Sequence, residues 1–226
     1  MRRIQLFVLG IMAVTLMASH VYAADSITKK ENLPWQQPLK EQTGTTKADT
    51  IHRAEQYLNQ LQTMVSSFVQ VAPDGTISEG KFYLSRPGKL RWEYFPPAQV
   101  TIVANKGLIT YYDAELDQVS HTSVDSTPLV FLTERHIDLS KGDITVEKVA
   151  YDKAITELTL TQKNKEDEGN IVLTFTNNPL ALKKMAVVNP IGEQTVVTFT
   201  DAVFSESLDN KLFYIENPHL FKKRRN

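Results

Sequence analysis

Five histidines, His20, His52, His121, His136 and His219, are the side chains best suited to proton transfer or metal ligation near neutral pH. They are scattered, and no H-E-x-x-H or comparable ligand spacing joins them. Asp113, Glu115 and Asp117 alternate along a hairpin signal, where carboxylates serve as solvated turn charges. No G-x-S-x-G elbow, glycine-rich phosphate loop or calcium-binding loop occurs. The chain has no cysteine, which removes disulfides, thiolate metal sites, cysteine nucleophiles and a lipid-modified N-terminal cysteine together. The expectation is a protein that binds rather than reacts, with no catalytic residue, no metal and no cofactor.

The segment that stands out chemically is Phe82-Tyr83-Leu84-Ser85-Arg86-Pro87-Gly88-Lys89-Leu90-Arg91-Trp92-Glu93-Tyr94. On a strand, side chains alternate between faces, so Leu90, Trp92 and Tyr94 share one side while Arg91 and Glu93 share the other. Phe82, Leu84 and Arg86 also share parity, which puts a guanidinium at the rim of, or inside, an apolar surface. It cannot shed its charge, so it must find acceptors there or reach water. Backbone carbonyls of a covering element are one solution; a turn residue snorkelling to solvent is the other.

The elements that would position these residues follow from the rest of the chain. Of 226 residues, 42% are hydrophobic and 23% charged, enough for one substantial core and incompatible with a disordered chain. Lys and Arg number 25 against 26 Asp and Glu, which argues against a nucleic-acid partner. Arg2 and Arg3 precede an apolar run, Ile4 to Ala18, and then small residues at a signal-peptidase spacing. The run is shorter than the ~20 residues that span a bilayer. Residues 1–23 therefore read as a signal peptide cleaved after Ala23, and losing Arg2 and Arg3 takes the formal charge from −1 to −3.

Residues 24–46 are polar and aperiodic, a flexible leader. From Lys47, the apolar residues Ile51, Ala54, Leu58, Leu61, Val65 and Phe68 fall at helical spacing, widened by Tyr57 and Met64. Arg53, Glu55, Asn59 and Gln60 are expected on the solvent side. After Ser67 the pattern is of about eleven short strands separated by turn residues, with no βαβ alternation. An insertion from Asp125 interrupts them: Ser126 or Thr127 caps a short helix begun by Pro128, and a second turn of helix is plausible between Glu134 and Asp143. The expected fold is mainly β with helices: an incomplete, half-open antiparallel barrel whose apolar side is covered by the N-terminal helix and a short helical lid. Its domain runs over 47–220. The basic tail 221–226 is either a solvated end or a docking tag for an anionic surface.

Phe68-x-Gln70, Gly75, Glu79-Gly80, Arg86-Pro87, Trp92, Pro97, Asn105-Lys106-Gly107-Leu108, Tyr112-Asp113, Gln118-Val119 and Thr127-Pro128-Leu129 with Leu132 resemble, in order and spacing, the LolA family of outer-membrane lipoprotein carriers. The resemblance covers roughly Asp49 to Phe204. It implies a periplasmic chaperone, not an enzyme, that takes acyl chains of lipoproteins into a hydrophobic cavity and acts as a monomer. It implies three partners: lipoproteins, an inner-membrane ABC-type releasing complex, and an outer-membrane receptor or the membrane itself. The family's cavity arginine corresponds to Arg86, which would hold the lid closed through backbone carbonyls. Acyl-contacting candidates are Leu58, Leu61, Met64, Phe68, Phe82, Leu84, Leu90, Trp92, Tyr94, Leu129 and Leu132. A periplasmic carrier of a free lipid or glycolipid on the same fold is the alternative.

Overall fold

A computed structural model describes residues 40–41, 45–127, 130–163, 168–204 and 207–215. The stretch read as a signal peptide, most of that read as a leader, Pro128, Leu129 and the basic tail lie outside them.

Helix α1 spans Thr45–Gln60. Ala54 and Leu58 are buried, with Ile51 and Tyr57 partly so, and together they form the apolar face. The helix stops well short of Phe68. Leu61 closes its last turn, and Thr63–Val71 forms strand β2. Met64 and Phe68 are four apart, a spacing that keeps one face on a helix and also on a strand. The alternation of buried Met64, Ser66, Phe68 and Gln70 with less buried Val65, Ser67 and Val69 shows that the strand period governs this stretch. Met64, Val65 and Phe68 are thus sheet residues, not part of the helical stripe expected for them.

The remaining strands are β3 (Ile77–Ser85), β4 (Lys89–Tyr94), β5 (Val100–Asn105), β6 (Leu108–Asp113), β7 (Gln118–Ser123), β8 (Ile144–Tyr151), β9 (Ile155–Gln162), β10 (Asn170–Asn177), β11 (Leu180–Val188) and β12 (Gln194–Val203). A two-residue strand, β1 (Lys40–Glu41), inside the stretch read as leader, pairs with Tyr151 and Ala150. All join one antiparallel sheet in the order β1-β8-β9-β10-β11-β12-β2-β3-β4-β5-β6-β7. The sheet does not close on itself, as expected of a half-open barrel.

Its inner face carries Phe68, Phe82, Leu84, Leu90 and Trp92 from one half and Leu158, Leu160, Leu173, Phe175, Met185 and Phe199 from the other, in a single core with Leu58. Gly80 allows the close packing of the first half: a β-carbon there would lie 2.1 Å from the Glu93 carbonyl oxygen and 2.8 Å from the Phe68 ring.

Strand order dictates the lid. β7 is one edge of the sheet, while β8 lies next to the other edge, so residues 124–143 must cross the whole sheet to connect them. Within this crossing a single helical turn, α2 (Val130–Thr133), places Phe131 and Leu132 in the core, and Ile137 and Leu139 follow them there. A 3-10 turn over Val124–Ser126, capped by Ser123, precedes α2; the helix start expected at Pro128 lies outside the described residues. The second stretch, 134–143, holds no helix. It is fixed by Asp138, whose carboxylate accepts from the Ser140 and Lys141 amides. Those bonds hold its carboxyl down to about 2.

On the outer face, Asn210–Phe213 forms another 3-10 turn that buries Phe213. Arg91 donates to the Leu212 carbonyl at 3.2 Å and Asn105 to that of Phe213 at 3.0 Å, fastening the segment to β4 and β5.

Candidate functional site

Arg86 lies just beyond β3, its amide donating to the Gln62 carbonyl at 2.8 Å. The side chain is only 8% exposed, so the snorkelling alternative does not hold. Nε donates to the Glu134 carbonyl at 2.8 Å, and Nη1 to the carbonyls of Leu58 and, at 3.4 Å, Leu61. One guanidinium therefore joins the end of α1 to the lid. The physical fit is good, because the last carbonyls of a helix lack partners and carry partial negative charge, and α1 has no basic residue of its own in its last turn. Burial pulls the guanidinium below its ordinary pKa and the Glu134 charge offsets part of this, yet an arginine remains cationic in a protein.

Two further side chains hold the lid down, and both were expected to face water. Asn59 donates to the Ile137 carbonyl and accepts from the Ile137 amide, both at 2.8 Å. Glu55 accepts from the Leu139 amide at 2.7 Å. Both sit beside the apolar stripe of α1, on the flank that the returning chain covers. The turn after Arg86 adds a bond from the Gly88 amide to the Thr133 carbonyl at 2.8 Å, at the end of α2.

Beneath the lid, the expected apolar candidates meet on one surface. Leu58, Leu61, Met64, Phe68, Phe82, Leu84, Leu90, Trp92 and Leu132 are all buried, and Tyr94 is partly buried against them. Leu129 lies outside the described residues. The aromatic rings interlock, with centroids 4.5 Å apart for Phe82 and Trp92, 5.1 Å for Phe68 and Tyr94 and 5.3 Å for Phe82 and Phe199. Tyr94 donates its hydroxyl to Gln70 Oε1 at 2.8 Å, and burial raises its pKa. Missing from the candidates were the inner residues of β9 to β12, such as Leu158, Phe175 and Phe199. Alternation marks Leu158 and Leu160 on β9, but only the partner strands show which parity faces inward, and a bulge at Thr174/Phe175 breaks the parity on β10 and β11, where buried Leu182 and Met185 are three apart.

Among the described residues, no three His, Asp or Glu side chains are grouped so as to hold a metal. What the arrangement offers is an extended hydrocarbon wall under a polar latch. Residues 59–216 match the family described as "Outer membrane lipoprotein carrier protein LolA". The chain belongs to the LolA family. Its relatives include proteins named outer-membrane lipoprotein carrier protein from Methylococcus capsulatus, 29% identical with 74% of this chain and 83% of the relative covered, and Azotobacter vinelandii, 28% identical with 75% and 84% covered. A solved LolA superfamily protein of Nitrosomonas europaea aligns with 73% of this chain and 97% of its own at 9% identity and a TM-score of 0.43. Within the LolA frame, the matched stretch includes the last residues of α1, Arg86, the lid and the strands of the inner wall, while Leu58 and Glu55 stand just before it.

Proposed function

We propose that this LolA-family protein is a periplasmic carrier that binds the acyl chains of lipoproteins released from the inner membrane and delivers them to the outer membrane. The observation that carries this reading is the Arg86 guanidinium, which ties α1 and the lid across an apolar wall through main-chain carbonyls alone. Every acyl methylene buried is worth about 0.8 kcal/mol, so an open wall would hold several chains too tightly to release them. A lid closed by charge-assisted bonds supplies the opposing term, because the ligand must break those bonds to enter.

In this scheme the signal peptide 1–23 directs export and 47–220 is the carrier domain, preceded by the leader 24–46 and followed by the basic tail. An inner-membrane ABC-type complex supplies the energy for loading, and an outer-membrane receptor or the membrane accepts the cargo. The carrier works as a monomer, catalyses no reaction and uses no cofactor. Depletion in the native bacterium should leave lipoproteins in the inner-membrane fraction. Normal sorting after depletion, with free lipid recovered by mass spectrometry from the purified protein, would replace this reading with a free-lipid carrier.

A further inference from the structure

The wall under the lid is not purely hydrocarbon. Trp92 lies in register between Phe82 and Ile102, is 4% exposed, and its indole Nε1 has no acceptor among the described residues. Arg86 Nη2 is likewise buried without one. Buried polar atoms are almost always paired, and an unpaired donor costs free energy that a phenylalanine would avoid. Phe68 and Phe82, the ring neighbours of Trp92, show that phenylalanine is accommodated in this wall. The nearby side-chain oxygens are turned to other partners: Gln70 Oε1 accepts from Tyr94, and the Ser66 hydroxyl is aimed at the Thr200 and Ser67 carbonyls, to which it donates. The third unpartnered buried side-chain atom among the described residues is the Thr161 hydroxyl, on β9; next to Phe82 and at the latch, such atoms are thus N–H donors.

A bare alkyl chain cannot satisfy them, and an amide or hydroxyl would bring a donor of its own. An ester at the root of an acyl chain is apolar enough to enter and carries acceptors only. We propose that the inner wall recognises the ester linkage of a diacylglyceryl ligand, with Trp92 Nε1 as the specificity-determining donor. The inference rests on the carrier reading and deepens it: chain burial provides affinity, while the indole distinguishes acyl from alkyl chains.

The test compares a synthetic diacylglyceryl lipopeptide with its dialkyl ether counterpart of equal chain length, using the full mature chain. Wild type should bind the ester about fivefold more tightly, the value of one net hydrogen bond. Trp92→Phe should lose the preference, binding ester and ether with equal affinity whatever the absolute affinity of the variant. Should that variant fold poorly, the wild-type protein gives a second readout. It has two tryptophans, Trp35 and Trp92, and hence two indole N–H signals in a 15N spectrum. The Trp92 signal should move downfield with the ester and not with the ether. Equal wild-type affinity for the two lipopeptides, or an ester preference that survives Trp92→Phe, would overturn the inference while leaving the carrier reading intact. A diacyl phospholipid and its ether counterpart separate the sources of the linkage. Ester preference there without lipopeptide binding would keep the linkage and remove the lipoprotein, and binding of neither class would remove both.

Discussion

Arg86 does one thing that a lysine or leucine in its place cannot: its planar fork reaches carbonyls on two elements at once. Arg86→Leu removes those bonds and leaves helix-end carbonyls unpaired under a closed lid, so closure should weaken by roughly 3 kcal/mol, the order of two charge-assisted hydrogen bonds. The open, loaded state makes no such demand. The variant should fold, accept lipoprotein and fail to pass it on; efficient transfer to outer-membrane vesicles would refute the role. A second residue-scale consequence concerns alkaline pH. Burial raises the Tyr94 hydroxyl above its ordinary value of 10.0. Between that value and the raised one, the unfolded chain releases the proton and the folded protein keeps it, so stability falls as pH rises. Tyr94→Phe should flatten part of that fall in denaturant titrations run above about pH 10, and an unchanged slope would show that the other tyrosines account for it.

At the scale of elements, the helix-to-lid contact is a seam rather than a single bond. Asn59 pairs with both main-chain groups of Ile137, and Glu55 with the Leu139 amide. Asn59→Ala should lower the local stability of the lid by about 2 kcal/mol, read as faster amide exchange at Ile137 and Leu139 with exchange in β9 to β12 unaltered. Equal protection in variant and wild type would mean that packing of Phe131 and Leu132 holds the lid alone. These bonds bridge 78 and 84 positions along the chain, which is why no local pattern announced them: Asn59 and Glu55 read as solvent-facing because helical periodicity sees only their own helix. The parity of Phe82, Leu84 and Arg86 was legible, since a strand fixes faces within a few residues. The helix end was not, because Met64 and Phe68 satisfy both periods and only the pairing of β2 with β3 and β12 decides between them. The lid was legible as an insertion with apolar residues, whereas its path across the sheet follows from strand order, which is a tertiary fact.

For the whole molecule, the topology makes closure a collective event. The lid is one continuous crossing from β7 to β8, so Arg86, Asn59 and Glu55 all grip a segment between Glu134 and Leu139 that has little freedom to open piecemeal. If closure is two-state, apparent affinity for an acyl probe equals the affinity of the open form reduced by the closed population. Losing roughly 3 kcal/mol of closure by Arg86→Leu then raises apparent affinity about a hundredfold, and losing about 2 kcal/mol by Asn59→Ala alone raises it about thirtyfold. The two effects should not multiply, since once Arg86 is removed the lid is already largely open and Asn59 has little closed state left to stabilise. The double variant should bind a fluorescent acyl probe with nearly the affinity of Arg86→Leu. Effects that multiply instead would mean that the lid still closes without Arg86, so that closure is worth more than these two contacts together and rests largely on the packing of Phe131, Leu132, Ile137 and Leu139.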